Sequence, residues 1–225
     1  MTRYKKQDPE LTRRKFINAA MGGAAAVGTI SLVSALGSAK PALRLTADKA
    51  PPRKGDVLVH AEAAKEGQPI RPSEVTERGV PAWPMSADGV IRKGEPNNQL
   101  AVYRFERSRF QEPAEQEPRV VLKLDGITAD GVIAYSNKCT HAGCPVPNDE
   151  KDLSKLFCGC HSGQYDLLQG CKKIGGPPPR SMPQLPITLE NDRLVVTETF
   201  VTAPFGFLNE QDWETYLQQV EEILG

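Results

Sequence analysis

Two short stretches constrain this chain more than anything else in it. Cys139-Thr140-His141-Ala142-Gly143-Cys144 is answered by Cys158-Gly159-Cys160-His161-Ser162-Gly163. The chain has five cysteines and three histidines in 225 residues, and four of those cysteines and two of those histidines lie in these hexapeptides. Scatter does not produce that. Each arm offers a thiolate and an imidazole, Cys139 with His141 and Cys158 with His161. Each also carries a further cysteine, Cys144 and Cys160. Two sulfur and two nitrogen donors suit zinc or an iron–sulfur cluster. Zinc ribbons usually take C-x2-4-C knuckles, and the C-x-H and C-x2-H spacings here weigh against structural zinc.

C-T-H-x-G-C followed by C-x-C-H resembles the Rieske iron–sulfur proteins of quinol-oxidising complexes. Gly176-Pro177-Pro178-Pro179-Arg180 looks like that family's proline loop over the cluster. The resemblance runs from about Asp56 to Thr199. It implies one [2Fe–2S] cluster, with Cys139 and Cys158 on one iron and His141 and His161 on the other. It also implies a Cys144–Cys160 disulfide tying the two cluster loops, worth roughly 3 kcal/mol by chain entropy and suited to an oxidising compartment.

The donor set carries a physical consequence. Two neutral imidazoles in place of thiolates remove two negative charges, so an electron is easier to add, and such centres lie at roughly −150 to +300 mV. Outer ring nitrogens can couple the electron to a proton, which quinol oxidation needs. Tyr165 resembles the family tyrosine whose hydroxyl bonds a ligand sulfur, and such bonds raise the potential. High-potential members read G-S-x-Y after the last histidine, whereas this chain reads Ser162-Gly163-Gln164-Tyr165. With glycine at the serine position a lower potential is expected, matched to a quinol such as menaquinol.

Formal charge is balanced at 28 basic and 28 acidic residues, but six of the basic ones fall in residues 1–15. No basic field invites nucleic acid. Residues 1–15 read as a cytoplasmic tail in which Arg13-Arg14 before an apolar stretch resembles a twin-arginine export signal. Residues 16–39 hold no charge. As a helix they would reach about 36 Å, enough to span a bilayer. They are expected to be a retained transmembrane anchor rather than a cleaved signal, leaving the soluble domain on the periplasmic face of the cell membrane. Residues 40–55, with Pro41, Pro51, Pro52 and Gly55, read as a hinge or linker.

Residues 56–202 alternate as strands should, between Gly, Pro and Asn turns. The expected strands are Val57–Ala61, Leu100–Phe105, Arg119–Leu124, Val132–Asn137, Leu156–Cys158, Gln164–Leu168, Leu185–Leu189 and Leu194–Thr199. The expected fold is all-β, an antiparallel Rieske-type β-sandwich with a cluster-binding subdomain at about 137–182. Residues 203–225 are expected to form an amphipathic helix capped by Asn209, with Trp213, Leu217, Val220 and Leu224 on one stripe. It could pack on the domain or on a partner. His60 is read as structural or surface, and Cys171 as a small buried apolar residue.

The resemblance implies a membrane-anchored subunit of a quinol:cytochrome c oxidoreductase, an enzyme component rather than a whole enzyme. Its partners would be a cytochrome b subunit, a c-type cytochrome, quinol and the membrane. His161, with His141 beside it, would meet the quinol hydroxyl. The alternative is the Rieske subunit of an exported arsenite oxidase. A ring-hydroxylating oxygenase needs two more histidines for its mononuclear iron, and only His60 is left over.

Overall fold

The computed structural model describes residues 45–113 and 120–224. The expected twin-arginine tail and the 16–39 span lie outside the described residues. Among the described residues no helix is long and apolar enough to cross a membrane.

Ten strands and one helix make up the described body: β1 Val57–His60, β2 Val80–Met85, β3 Leu100–Arg104, β4 Val132–Ser136, β5 Lys155–Cys158, β6 Gly163–Asp166, β7 Lys172–Gly175, β8 Gln184–Leu185, β9 Ile187–Glu190, β10 Arg193–Val196 and α1 Glu210–Leu224. A seven-stranded antiparallel sheet runs β8-β4-β3-β2-β1-β10-β9, and a three-stranded one runs β5-β6-β7. β8 and β9 are opposite edges of the larger sheet, yet only Pro186 separates them in sequence. The sheet must therefore curl until its edges meet, so the antiparallel fold is a near-barrel. Pro186 suits the seam, because it has no N–H to offer a ladder, and its carbonyl accepts Thr197 N at 3.0 Å.

β3 and β4 are apolar on both faces, and alternation sends their side chains to two cores. Leu100, Val102, Val132 and Ala134 face the barrel interior with Leu58, Ile187 and Leu194. Ala101, Tyr103, Ile133 and Tyr135 face a second core with Leu156, Tyr165, Leu167, Cys171 and Met182. These two strands are thus a shared wall, with the small sheet and its loops built on the outer side.

Two strands escape the sequence pattern. β2 contains Pro81 and Pro84, which argue against a central strand. Its register shows why they are tolerated. β3 pairs with residues 80–82 and β1 with residues 82–85. In an extended residue N–H and C=O leave on the same side. Pro81 O accepts Ala61 N, just past the end of β1, and Pro84 O accepts Arg92 N on the side that β3 has left. The missing Pro81 donor therefore falls just past the end of the β1 ladder, and that of Pro84 on the side that β3 has left. β7, Lys-Lys-Ile-Gly, carries no apolar alternation.

Other expectations are corrected. The 119–124 strand does not form in its described part. A 3-10 turn occupies Leu124–Gly126, and the Gln184 amide acts as the partner, accepting from Lys123 N at 2.8 Å and donating to Lys123 O at 3.0 Å. The 185–189 strand is broken at Pro186. The Gln164–Leu168 strand stops at Asp166, whose carboxylate accepts Leu168 N and starts a 3-10 turn. The described part of the expected linker is packed on the body, with Ala50, Pro51 and Pro52 buried. A buried Arg92–Asp56 pair anchors it, at 2.6 and 3.1 Å, and Arg92 also donates to Ala47 O.

The helix begins where expected. Asn209 Oδ1 accepts Asp212 N at 2.9 Å, capping the first turn. Trp213 and Val220 are buried, and Trp213 packs on Phe200 and Phe207 of the same body. Leu217 packs half-buried against the barrel core beside it, and Leu224 is half-buried.

Candidate metal centre

Three loops meet at one end of the small sheet. The first leaves β4 and folds back on itself, with Cys139 N bonded to Cys144 O and Gly143 N to Cys139 O, both at 2.8 Å. Gly143 sits at φ +73°, a left-handed turn that needs glycine. The second is the β5–β6 hairpin, where Cys158 pairs with Gly163. Its loop carries Cys160 and His161, and Ser162 N closes on Cys158 O at 2.9 Å. The third is the proline loop after β7. Gly176 there has φ +77°, and a Cβ would stand 2.4 Å from Ser162 O. A disulfide joins Cys144 to Cys160 and ties the first loop to the second, the pairing that the resemblance implies.

The four expected donors sort into two like pairs. Cys139 and Cys158 are buried at 2% and 1% exposure. Burial first, and the adjoining Cys139 thiol as well, pushes the Cys158 thiol above its ordinary value. A buried sulfur of that kind ionises only against a cation. His141 and His161 are exposed, their Nδ1 atoms 3.2 Å apart and their rings nearly perpendicular. Two nitrogens on one tetrahedral ion, each at about 2.1 Å, would stand roughly 3.4 Å apart, so the observed gap suits a shared metal. A sulfur pair inside and a nitrogen pair outside fit a diiron cluster with unlike ends better than one ion with a single shell.

Tyr165 is buried in the second core, and burial pushes its phenol well up, so it keeps its proton. Its Oη lies 3.2 Å from Cys139 Sγ and accepts Thr140 N at 3.3 Å. Thr140 Oγ1 in turn donates to Arg180 O at 2.7 Å. Gly163 lies under the proline loop, and Ser162 is exposed.

The two remaining residues of interest are structural. His60 is 4% exposed, with Nε2 3.3 Å from Glu74 Oε2. Cys171 is fully buried, and burial raises its thiol far above the reactive range. Sequence reasoning missed the contributions of Thr140, Arg180 and Phe205. Thr140 and Arg180 stand inside motifs, but their bonds run between loops 40 residues apart. Phe205, whose ring covers Gly143, carried no signal at all.

Residues 93–186 match the family described as Rieske [2Fe-2S] domain. A Haloferax mediterranei protein named for the Rieske subunit of a respiratory nitrate reductase is 43% identical over 76 residues, 34% of each chain. The cytochrome bc1 complex Rieske iron-sulfur subunit of Corynebacterium efficiens is 38% identical over 73 residues, covering 32% of this chain and 18% of that one. The Streptomyces lividans protein of the same name is 28% identical over 143 residues, 62% of this chain and 77% of that one. The match spans 34% of the first of these relatives and 18% of the second.

Proposed function

Because residues 93–186 match the Rieske [2Fe-2S] domain family, we propose that the chain is the membrane-anchored electron-transfer subunit of a quinol:cytochrome c oxidoreductase. The observation that carries this reading is the exposed His141–His161 pair set over two buried cysteine sulfurs. Cys139 and Cys158 would hold one iron and His141 and His161 the other. The cluster, when bound, supplies reversible one-electron chemistry at a potential that two imidazoles raise.

The chain's own groups do the rest. With both Nδ1 atoms turned inward toward each other, the Nε2 atoms are left for a substrate. His161 Nε2 accepts the hydrogen bond of a quinol hydroxyl and then its proton, with His141 Nε2 at the same exposed edge. Tyr165 donates its O–H to Cys139 Sγ, because a ligated thiolate can only accept. The Cys144–Cys160 disulfide and the proline loop cover the sulfurs and keep water from them. A c-type cytochrome would take the electron onward, and the quinol pocket would lie mostly on a cytochrome b subunit. The twin-arginine tail and the 16–39 anchor put the domain on the outer face. The names of the Corynebacterium and Streptomyces relatives support this assembly.

A second reading, the Rieske subunit of a different exported oxidoreductase, draws on the Haloferax relative. Affinity isolation of the tagged chain from its native membranes separates the two. Co-purifying b- and c-type haem with quinol oxidation is expected. A molybdopterin subunit in their place would overturn the first reading.

Glycine at position 163 supports a lower potential than in serine-bearing relatives, with menaquinol as the matching donor. A redox titration giving a midpoint as high as theirs would rule this out.

A further inference from the structure

The chain does not end at the last strand of the barrel. Residues 203–208 turn back from β10 and lie against the cluster loops before α1 begins. Phe205 covers the first loop so closely that a Cβ on Gly143 would meet its ring at 2.6 Å. Arg180, 7% exposed at the foot of the proline loop, reaches the same segment. Its Nη2 donates to Pro204 O at 2.6 Å and to Phe207 O at 2.7 Å.

The segment itself is held from behind. Asn97 Nδ2 donates to Phe205 O at 2.8 Å, tying it to the barrel. Glu210 Oε2 accepts Ala203 N at 2.8 Å, tying it to the helix. Phe207 stacks edge-on against Trp213 with ring centres 4.9 Å apart. From there the contacts continue inward: Arg180 O accepts Thr140 Oγ1, Thr140 N meets Tyr165, and Tyr165 meets Cys139 Sγ. An unbroken chain of contacts thus links α1 to a candidate ligand sulfur.

We propose that the C-terminal segment 203–224 is a clamp on the cluster loops, with Phe205 and Arg180 as positioning residues for the [2Fe–2S] site. The proposal rests on the cluster assignment above and goes beyond it. The disulfide ties the first loop to the second, but neither to the barrel. The first loop is bonded to the barrel side at its two ends, through Asn137 N to Gln99 O and Asn148 to Glu77 O and Gly79 N, and the clamp adds an attachment at Gly143 between them and joins the proline loop to it. A metal-binding loop fixed from outside keeps its ligands in place when the cluster is exposed to a partner.

The test uses the full chain carrying its cluster. Phe205→Ala removes a half-buried ring, and Arg180→Lys keeps the charge but loses the fork that spans two carbonyls. Three readouts are followed: cluster release into an iron chelator, the EPR spectrum of the reduced protein, and hydrogen exchange at the Gly143 and Cys139 amides. Both variants should release the cluster roughly fivefold faster, the factor set by one buried hydrogen bond or a comparable contact. Exchange at the two loop amides should rise and the EPR line shape should shift. Leu58→Ala, deep in the barrel and away from the loops, is the control for general destabilisation. Release from Leu58→Ala as fast as from Phe205→Ala, or unchanged exchange and EPR in both loop variants, overturns the clamp. A native membrane complex in which this chain carries its cluster yet is not reduced by quinol would overturn the function proposed above and leave these comparisons intact.

Discussion

Pro178 fills the space that a side chain at position 163 would need: a Cβ on Gly163 would stand 2.7 Å from Pro178 Cγ and 3.2 Å from its Cδ. The exchange of serine and glycine at 162 and 163 is therefore matched by the packing of the proline loop. The first prediction follows from this pair.

Gly163→Ser alone should push the proline loop outward and speed cluster loss. In the double variant with Pro178→Ala the ring is gone and the serine hydroxyl has room. A new hydrogen bond near the sulfurs, worth about 1 kcal/mol, should raise the midpoint by about 40 mV. Redox titration of both variants checks it, and an unchanged midpoint in a well-loaded double variant would count against serine as a donor here.

Tyr165→Phe keeps the buried ring and removes only the hydroxyl 3.2 Å from Cys139 Sγ. Loss of a hydrogen bond to a charged sulfur should lower the midpoint by about 50–100 mV. The fold should hold, because the ring still fills the second core. Titration beside a thermal melt separates the two effects.

Ser162 adopts φ +58°, where a residue with a Cβ is disfavoured. Its side chain is exposed and carries no ligand role. Ser162→Gly should stabilise the loaded protein by about 1 kcal/mol. A lower melting temperature would show instead that the hydroxyl makes a contact the loop depends on.

Glu74 accepts Arg71 N at 3.1 Å and Lys65 Nζ at 3.0 Å, and lies 3.3 Å from His60 Nε2. These groups, the Arg71 amide foremost, hold its carboxyl down at about 2 against an ordinary 4.5. A depressed folded value gives stability that is present above pH 4.5 and lost as pH falls toward 2. Denaturant midpoints across that window should fall more gently in Glu74→Gln than in wild type. Parallel curves would mean the half-exposed carboxylate adds nothing.

Much of the site was legible because its chemistry is local. His141 stands two positions from Cys139, and His161 stands three positions from Cys158, in the hairpin loop that follows it, so the donor types and spacing appear in the sequence itself. The α1 stripe and the Asn209 cap were legible for the same reason, since a helix joins residues three and four apart. The exchanged Ser162-Gly163 was visible too, but not the Pro178 ring that goes with it.

What the sequence determined by itself is the spacing of the candidate donors, the antiparallel strand character and the C-terminal helix, all written in spacings of a few residues. Tertiary structure alone decided that a strand with two prolines sits in the middle of a sheet, because the stagger of β1 and β3 leaves both missing donors unneeded. It alone brought the edge strands β8 and β9 round to a single seam, and laid Phe205 on Gly143, 62 residues away. Contacts at that separation depend on how sheets curl and loops meet, and neither leaves a period in the chain.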